Sequence, residues 1–135
     1  MVAGRSSITA LLGVAVGLSC AYADEVSLAR DVQPILDRHC VACHLYESPQ
    51  GGLSLEAGDT HGATVGVPSS EAPLPRIAPG DPERSYLVHK LRGTQASVGG
   101  SGARMPFNAD TGGNGLAADE LDAIERWIRA GAPDN

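Results

Sequence analysis

The segment Cys40-Val41-Ala42-Cys43-His44 decides how the rest of this 135-residue chain is interpreted. Two thiols stand three positions apart, and an imidazole follows the second thiol directly. Upstream, Asp31 is placed to cap a helix start, and Pro34 falls in the first turn, where its missing N–H is harmless. Ile35 and Leu36 then share roughly one helical face with both thiols. We therefore predict that a helix leads into this segment and presents it.

The order Cys-x-x-Cys-His is the attachment motif of c-type haem. Thiols at this spacing can each add to one vinyl group of a porphyrin, and the following imidazole can bind the iron. The motif predicts one covalent haem c, with thioethers from Cys40 and Cys43 and with His44 as an iron ligand.

Three other interpretations of the two thiols remain open but fit less well. A zinc site usually needs four ligands, and the sequence shows neither a second Cys pair nor an HxxxH pair. A thioredoxin-like redox pair needs a βαβ context, which the helical pattern here does not predict. A disulfide across two intervening residues would close a very short loop and stabilise the fold little.

The first 23 residues have the pattern of a signal peptide. Arg5 precedes an uncharged run of 11 residues, Ile8 to Leu18, and Ala21-Tyr22-Ala23 supplies small residues for cleavage. The run is shorter than the roughly 20 residues that a membrane span needs. We predict export to the periplasm or beyond, with no stable membrane span after cleavage. The alternatives are a buried N-terminal helix, an anchor that is never cleaved, or a lipid on Cys20.

The net charge of the chain limits the classes of macromolecule that it can bind. The chain has 10 basic and 16 acidic residues. Cleavage after Ala23 would remove only Arg5 and leave residues 24–135 with nine basic and 16 acidic residues, a net charge of −7. Such a surface argues against nucleic-acid binding, which needs clustered positive charge. It permits a basic protein partner reached by electrostatic steering.

Downstream of the motif, the sequence predicts two more helices separated by long loops. Residues 45–80 are rich in Gly, Pro and Ser and predict a loop, which at this length must wrap something. Asp81 then caps a helix that ends before Gly93. A second loop, residues 93–115, leads to the last helix, which has Ala117 at its cap and Leu121, Ile124, Trp127 and Ile128 on its apolar side. The predicted fold is a small all-α domain of about three main helices with long loops around one covalently bound haem.

Met105 is the predicted second iron ligand. It is the only methionine after the leader, and it stands before Pro106 in a loop where a thioether can reach the far face of a haem. The alternative for Met105 is a flexible core filler.

Three histidines are the competing ligands. His61, in the loop, is less favoured than Met105. We expect His89 to face solvent, and we expect His39 to lie too near the motif to reach the opposite haem face. A loose similarity of Asn108–Gly113 to a calcium loop is better interpreted as a polar turn.

Five blocks of the sequence resemble the class I cytochrome c domains, and most closely the planctomycete-type cytochrome c domain. They are DVQPILDRHCVACH, GGLSL, APGDPERSYLVHKL, RMPF and LAADELDAIERWIRAGAP, in that order, and they span about Val26 to Pro133. The resemblance implies thioethers at Cys40 and Cys43, His44 as proximal ligand and Met105 as distal ligand. It also implies that the first and last helices pack together. The chain departs from the family at Phe107, where a second Pro is common, and at Ala117, where Ser or Thr is usual.

Together these features predict an electron-transfer protein and not an enzyme. A haem with His and Met ligands carries single electrons between Fe(II) and Fe(III), and its redox partner proteins bind transiently. The protein would act alone or as the haem subunit of an exported oxidoreductase. The alternative is a haem-based gas or redox sensor in which a ligand displaces Met105.

Overall fold

A computed structural model describes residues 25–107 and 115–135 of the chain. Within these ranges it has four α-helices and no β-strand: α1 (Gln33–His39), α2 (Thr60–Thr64), α3 (Tyr86–Arg92) and α4 (Ala118–Arg129). The predicted leader with Cys20, and the predicted polar turn at Asn108–Gly113, lie outside the described residues. Helices without strands confirm the all-α prediction for the described part of the chain. No helix in this part is long and apolar enough to cross a membrane.

The first helical segment begins earlier than predicted, and Asp31 has a different role from the predicted cap. A wider π-helical turn, Leu28–Val32, leads directly into α1. Ser27 is the cap, because its Oγ accepts from the N–H of Arg30 at 3.3 Å. Asp31 lies within the turn and accepts from the N–H of Ser27 at 2.8 Å. The cap prediction at Asp31 was wrong, because the helical turn already begins at Leu28 and Asp31 lies inside it.

The first and last helical segments pack together, as the family resemblance implies. The turn Leu28–Val32 lies against α4. On α4, Ile124, Trp127 and Ile128 are almost completely buried. Arg38 and His39 of α1 both contact the carboxylate of Glu120 on α4, at 2.9 and 3.1 Å. The apolar spacing on α4 therefore forms the core face that the sequence predicted.

α2 was not predicted, since its sequence Thr-His-Gly-Ala-Thr has weak helix propensity. A tertiary contact supports it: the hydroxyl of Thr60 donates to Oε1 of Gln33 on α1 at 2.8 Å. The amide of Gln33 also donates to the carbonyl of Leu55 at 2.9 Å. The prediction of a loop at residues 45–80 is thus correct for most of its length. It missed α2, a short helix that contacts with α1 stabilise.

α3 begins as the sequence predicts, with Asp81 capping a 3₁₀ turn at Pro82–Arg84 that leads into the helix. It ends at Gly93, whose φ of 78° is left-handed and suits glycine. His89 corrects a prediction: it is only 7 % exposed instead of facing solvent. Its ring nitrogens bond to the hydroxyl of Thr94 at 2.8 Å and to the carbonyl of Glu83 at 2.9 Å. The loops at both ends of this short helix cover the imidazole.

Candidate functional site

All four predicted site residues line one cavity of about 450 Å³. Cys40, Cys43 and His44 come from the end of α1 and the turn after it, and Met105 comes from the loop after α3. The volume lies within the range of about 300–1,000 Å³ that is typical of ligand pockets. Residues more than 60 positions apart in sequence therefore line one site.

The cavity wall is mainly apolar, with a smaller polar part. Its apolar side chains come from α1, α3 and the loops around them: Leu36, Leu53, Leu55, Leu87, Leu91, Pro106 and Phe107. Its polar side chains are Gln50, Ser69, Ser70, Glu71, Arg76, Tyr86 and Lys90, together with His39. Apolar walls with a few polar side chains are typical of a ligand pocket.

The turn after α1 brings the two thiols and the imidazole to the cavity. Cys40 N–H still bonds back to the carbonyl of Leu36 at 2.8 Å, and His44 N–H bonds to the carbonyl of Cys40 at 3.0 Å. These bonds prolong the helical spacing by one turn past His39, where α1 ends. Both thiols therefore reach the cavity from the turn that follows α1 and not from the helix itself.

The hydrogen bonds of His44 determine which ring nitrogen can bind a metal. Its Nδ1 lies 3.1 Å from the carbonyl oxygen of Gln50 and 3.2 Å from that of Leu53. A carbonyl oxygen can only accept, so Nδ1 must carry the hydrogen and donate it. In the neutral imidazole Nε2 is then unprotonated, which is the state that a metal ligand needs.

Arg76 holds the segment that orients His44. Its Nη2 donates to the carbonyls of Gly51 and Gly52 at 3.2 and 3.1 Å, and its Nη1 donates to the carbonyl of Ala63 at 2.8 Å. Gly51 directly follows Gln50, the acceptor of the His44 hydrogen bond. Arg76 therefore ties this turn to α2 and also places a positive charge in the cavity wall.

Burial raises the pKa of the Cys40 thiol to about 11, and the carboxylate of Glu120 and the thiol of Cys43 add to the effect. The two thiols are not joined in a disulfide. A raised pKa keeps Cys40 protonated at neutral pH, and a protonated thiol attacks disulfides poorly. The described residues form no β-strand, so this part of the chain lacks the βαβ context of a thioredoxin-like redox pair. Within residues 25–107 and 115–135, no three Cys, His, Asp or Glu side chains cluster as metal ligands.

The candidate histidine ligands differ in position. His39 lines the cavity, but its Nε2 contacts Glu120 at 3.1 Å. His61 and His89 are not among the lining residues, and Nε2 of His61 lies 3.0 Å from the carbonyl of Ala132 near the end of the chain. Met105 and His39 are thus the two candidates that line the cavity together with His44. Among the described residues the sulfur of Met105 has no hydrogen-bonding partner, whereas Nε2 of His39 is bonded to Glu120.

Sequence reasoning missed several polar residues of the wall. A cluster at one side joins Glu71 to the hydroxyl of Tyr86 at 2.8 Å and to Nζ of Lys90 at 3.9 Å. Burial, followed by the bond to Glu71, raises the pKa of Tyr86 to about 12. One feature of the sequence could have indicated a polar wall residue: Arg76 is an isolated basic residue in a stretch rich in Pro and apolar residues.

The sequence blocks that resemble a cytochrome family have no independent support from comparison. No protein-family model matches the chain, and no curated protein or solved structure matches it.

Proposed function

We propose that the chain is an exported monohaem c-type cytochrome that carries single electrons between redox partner proteins. One observation carries the proposal: Cys40, Cys43, His44 and Met105, which the sequence selects as haem ligands and attachment points, line the same mainly apolar cavity. The residues fit the group in chemistry as well. Both thiols are free, and the hydrogen bonds of His44 leave its Nε2 available.

Each residue then has a defined part. Cys40 and Cys43 would hold the haem through thioethers, His44 would bind the iron through Nε2, and the thioether of Met105 would supply a second iron ligand. When bound, the haem supplies a one-electron Fe(II)/Fe(III) couple, and a methionine ligand raises its potential. The chain itself excludes water with its leucine-rich wall and fixes the ligands. No side chain need act as an acid, a base or a nucleophile.

The charges in the wall support the same assignment. Arg76 and the largely buried Lys90 place positive charge in the mainly apolar wall, and the one carboxylate beside them, Glu71, lies 3.9 Å from Lys90. A haem carries two carboxylates that need such partners in a medium of low dielectric constant. A protein partner would approach at the cavity rim, where Phe107 is 70 % exposed. Attachment of c-type haem takes place outside the cytoplasm, which agrees with the predicted leader at residues 1–23.

Spectroelectrochemical titration of the exported chain tests this function. We expect a single reversible one-electron transition and a reduced form that does not bind CO rapidly, because Met105 occupies the sixth position. Rapid CO binding by the wild-type reduced protein would contradict a carrier with His/Met ligation and favour the sensor. Co-purification with a catalytic chain would identify the protein as a subunit of an oxidoreductase.

A further inference from the structure

The end of α3 offers two backbone acceptors to the loop that carries Met105. The last carbonyls of an α-helix have no partner within the helix. Here the carbonyl of Lys90 accepts from the N–H of Met105 at 2.9 Å, and the carbonyl of Leu91 accepts from Nε of Arg104 at 2.7 Å. Two consecutive loop residues thus bind two consecutive carbonyls of one helix end.

Two glycines make room for the Arg104 side chain. A Cβ atom at Gly93 would lie 3.0 Å from Cδ of Arg104, and one at Gly115 would lie 2.6 Å from its Nε. The second distance is far below van der Waals contact. Arg104 therefore occupies a slot that closes if a side chain replaces the hydrogen at Gly115.

We infer that Arg104 is a positioning residue, which holds the loop of Met105 against the end of α3 and so sets how firmly Met105 stays at the cavity wall. The bond from Arg104 to Leu91 is charge-assisted, and such bonds are stronger than a bond between neutral groups. Met105 itself is held to the helix through a neutral backbone bond. The consequence for iron ligation rests on the proposed function, whereas the position of the loop does not.

Two substitutions disturb the slot in different ways. Arg104→Leu removes the donor but keeps an apolar stem between the two glycines. Gly115→Ala keeps the arginine and crowds it. Gly115 has a φ of 75°, where alanine is strained in any case, so it needs a matched control. Gly66→Ala is that control, because Gly66 has a φ of 72° and no heavy atom would lie within 4 Å of its Cβ.

Hydrogen exchange of the Met105 amide, in the protein as isolated, measures the position of the loop without reference to haem. We expect exchange about tenfold faster in Arg104→Leu and in Gly115→Ala, the loss expected for one charged hydrogen bond. Gly66→Ala should leave the Met105 amide unchanged. Unchanged exchange in Arg104→Leu would overturn the inference, and so would equal acceleration in Gly66→Ala.

Titration of the oxidised protein with imidazole, which competes for the sixth iron position, measures the consequence for the ligand. Arg104→Leu should raise the apparent imidazole affinity about tenfold, and should have no further effect in a Met105→Ala background. An equal effect in both backgrounds would contradict a role exerted through Met105. A wild-type spectrum without a sulfur-to-iron band, combined with faster exchange in Arg104→Leu, would reject the proposed ligation while supporting the role of Arg104 in the loop.

Discussion

His44 and Met105 line the same cavity, but the chain holds them in different ways. His44 bonds to carbonyls only six and nine residues further along, at Gln50 and Leu53. Met105 is held by the end of α3, through its own N–H on Lys90 and through the side chain of Arg104 on Leu91. We call Cys40–His44 with the turn Gln50–Leu53 the His44 wall, and Arg104–Met105 on the end of α3 the Met105 wall. The ring of His44 is oriented by carbonyls close to it in sequence, in a turn that Arg76 ties to α2. Met105 is instead held by the end of a separate helix.

The largest effect should come from the attachment points. In the Cys40→Ala, Cys43→Ala double variant we expect complete loss of covalent haem, because no other thiol remains after the predicted leader. Mass spectrometry of the exported chain and a pyridine haemochrome assay measure this loss. Covalent haem in the double variant would contradict the assignment of Cys40 and Cys43 as the attachment points.

Replacement of Met105 should distinguish its role as an iron ligand from covalent attachment at Cys40 and Cys43. Met105→Ala should keep full covalent haem and lose the sulfur-to-iron charge-transfer band completely, with a lower reduction potential and a sixth position open to CO. Optical spectra of the oxidised and reduced protein record each change. If the band persists in Met105→Ala, the sixth ligand lies elsewhere, and His61→Ala is the variant to examine next.

Sequence patterns predicted features that depend on local spacing better than features that depend on contacts between distant parts of the chain. The motif at Cys40–His44 and the apolar face of α4 depend on spacing within one helix or turn, and periodicity reveals such spacing. α2 escaped prediction because its stability comes from Thr60 bonding to Gln33 and not from propensity. The same reason applies to His89, which neighbouring loops bury.

Arg76 and Arg104 show the limit of such reasoning for the site. Each donates to backbone carbonyls of a segment at least 13 residues away in sequence. A contact of this kind leaves no periodic pattern, because any residue can supply a carbonyl. The sequence selected four residues that line one cavity, but the groups that hold them could be identified only in the folded chain.

A substitution at Arg76 should weaken the His44 wall without removing a ligand. Arg76→Gln breaks bonds to three carbonyls, and we expect the free energy of unfolding to fall by about 2 kcal/mol. Urea denaturation followed by circular dichroism measures this change. Arg84→Gln is the matched control, because Arg84 is exposed, and its effect should stay within about 0.5 kcal/mol. Equal effects of the two variants would show that Arg76 does not hold the turn.

The contact between α1 and α4 should give the smallest effect, and one that depends on pH. Burial opposes ionisation of Glu120, but hydrogen bonds from Arg38 and His39 outweigh it and lower the pKa of the carboxyl below its ordinary value of 4.5. A lowered pKa in the folded state stabilises the protein above pH 4.5, and this stabilisation is lost as the pH falls through the folded-state value.

Glu120→Gln should therefore lower the free energy of unfolding by about 1 kcal/mol at pH 7. The difference from wild type should shrink as the pH falls below 4.5. Urea denaturation at several pH values between neutral and acid measures both quantities. A difference that stays constant across this range would show that the charge of Glu120 does not stabilise the contact.

We propose that Cys40 and Cys43 carry one covalent haem and that His44 and Met105 bind its iron. An optical spectrum of the wild-type chain, exported from cells that contain haem-attachment machinery, tests it most directly when combined with a pyridine haemochrome assay. We predict a c-type haemochrome and, in the oxidised protein, a sulfur-to-iron charge-transfer band. Absence of haem from the exported chain would contradict the account and return Cys40 and Cys43 to disulfide or metal chemistry.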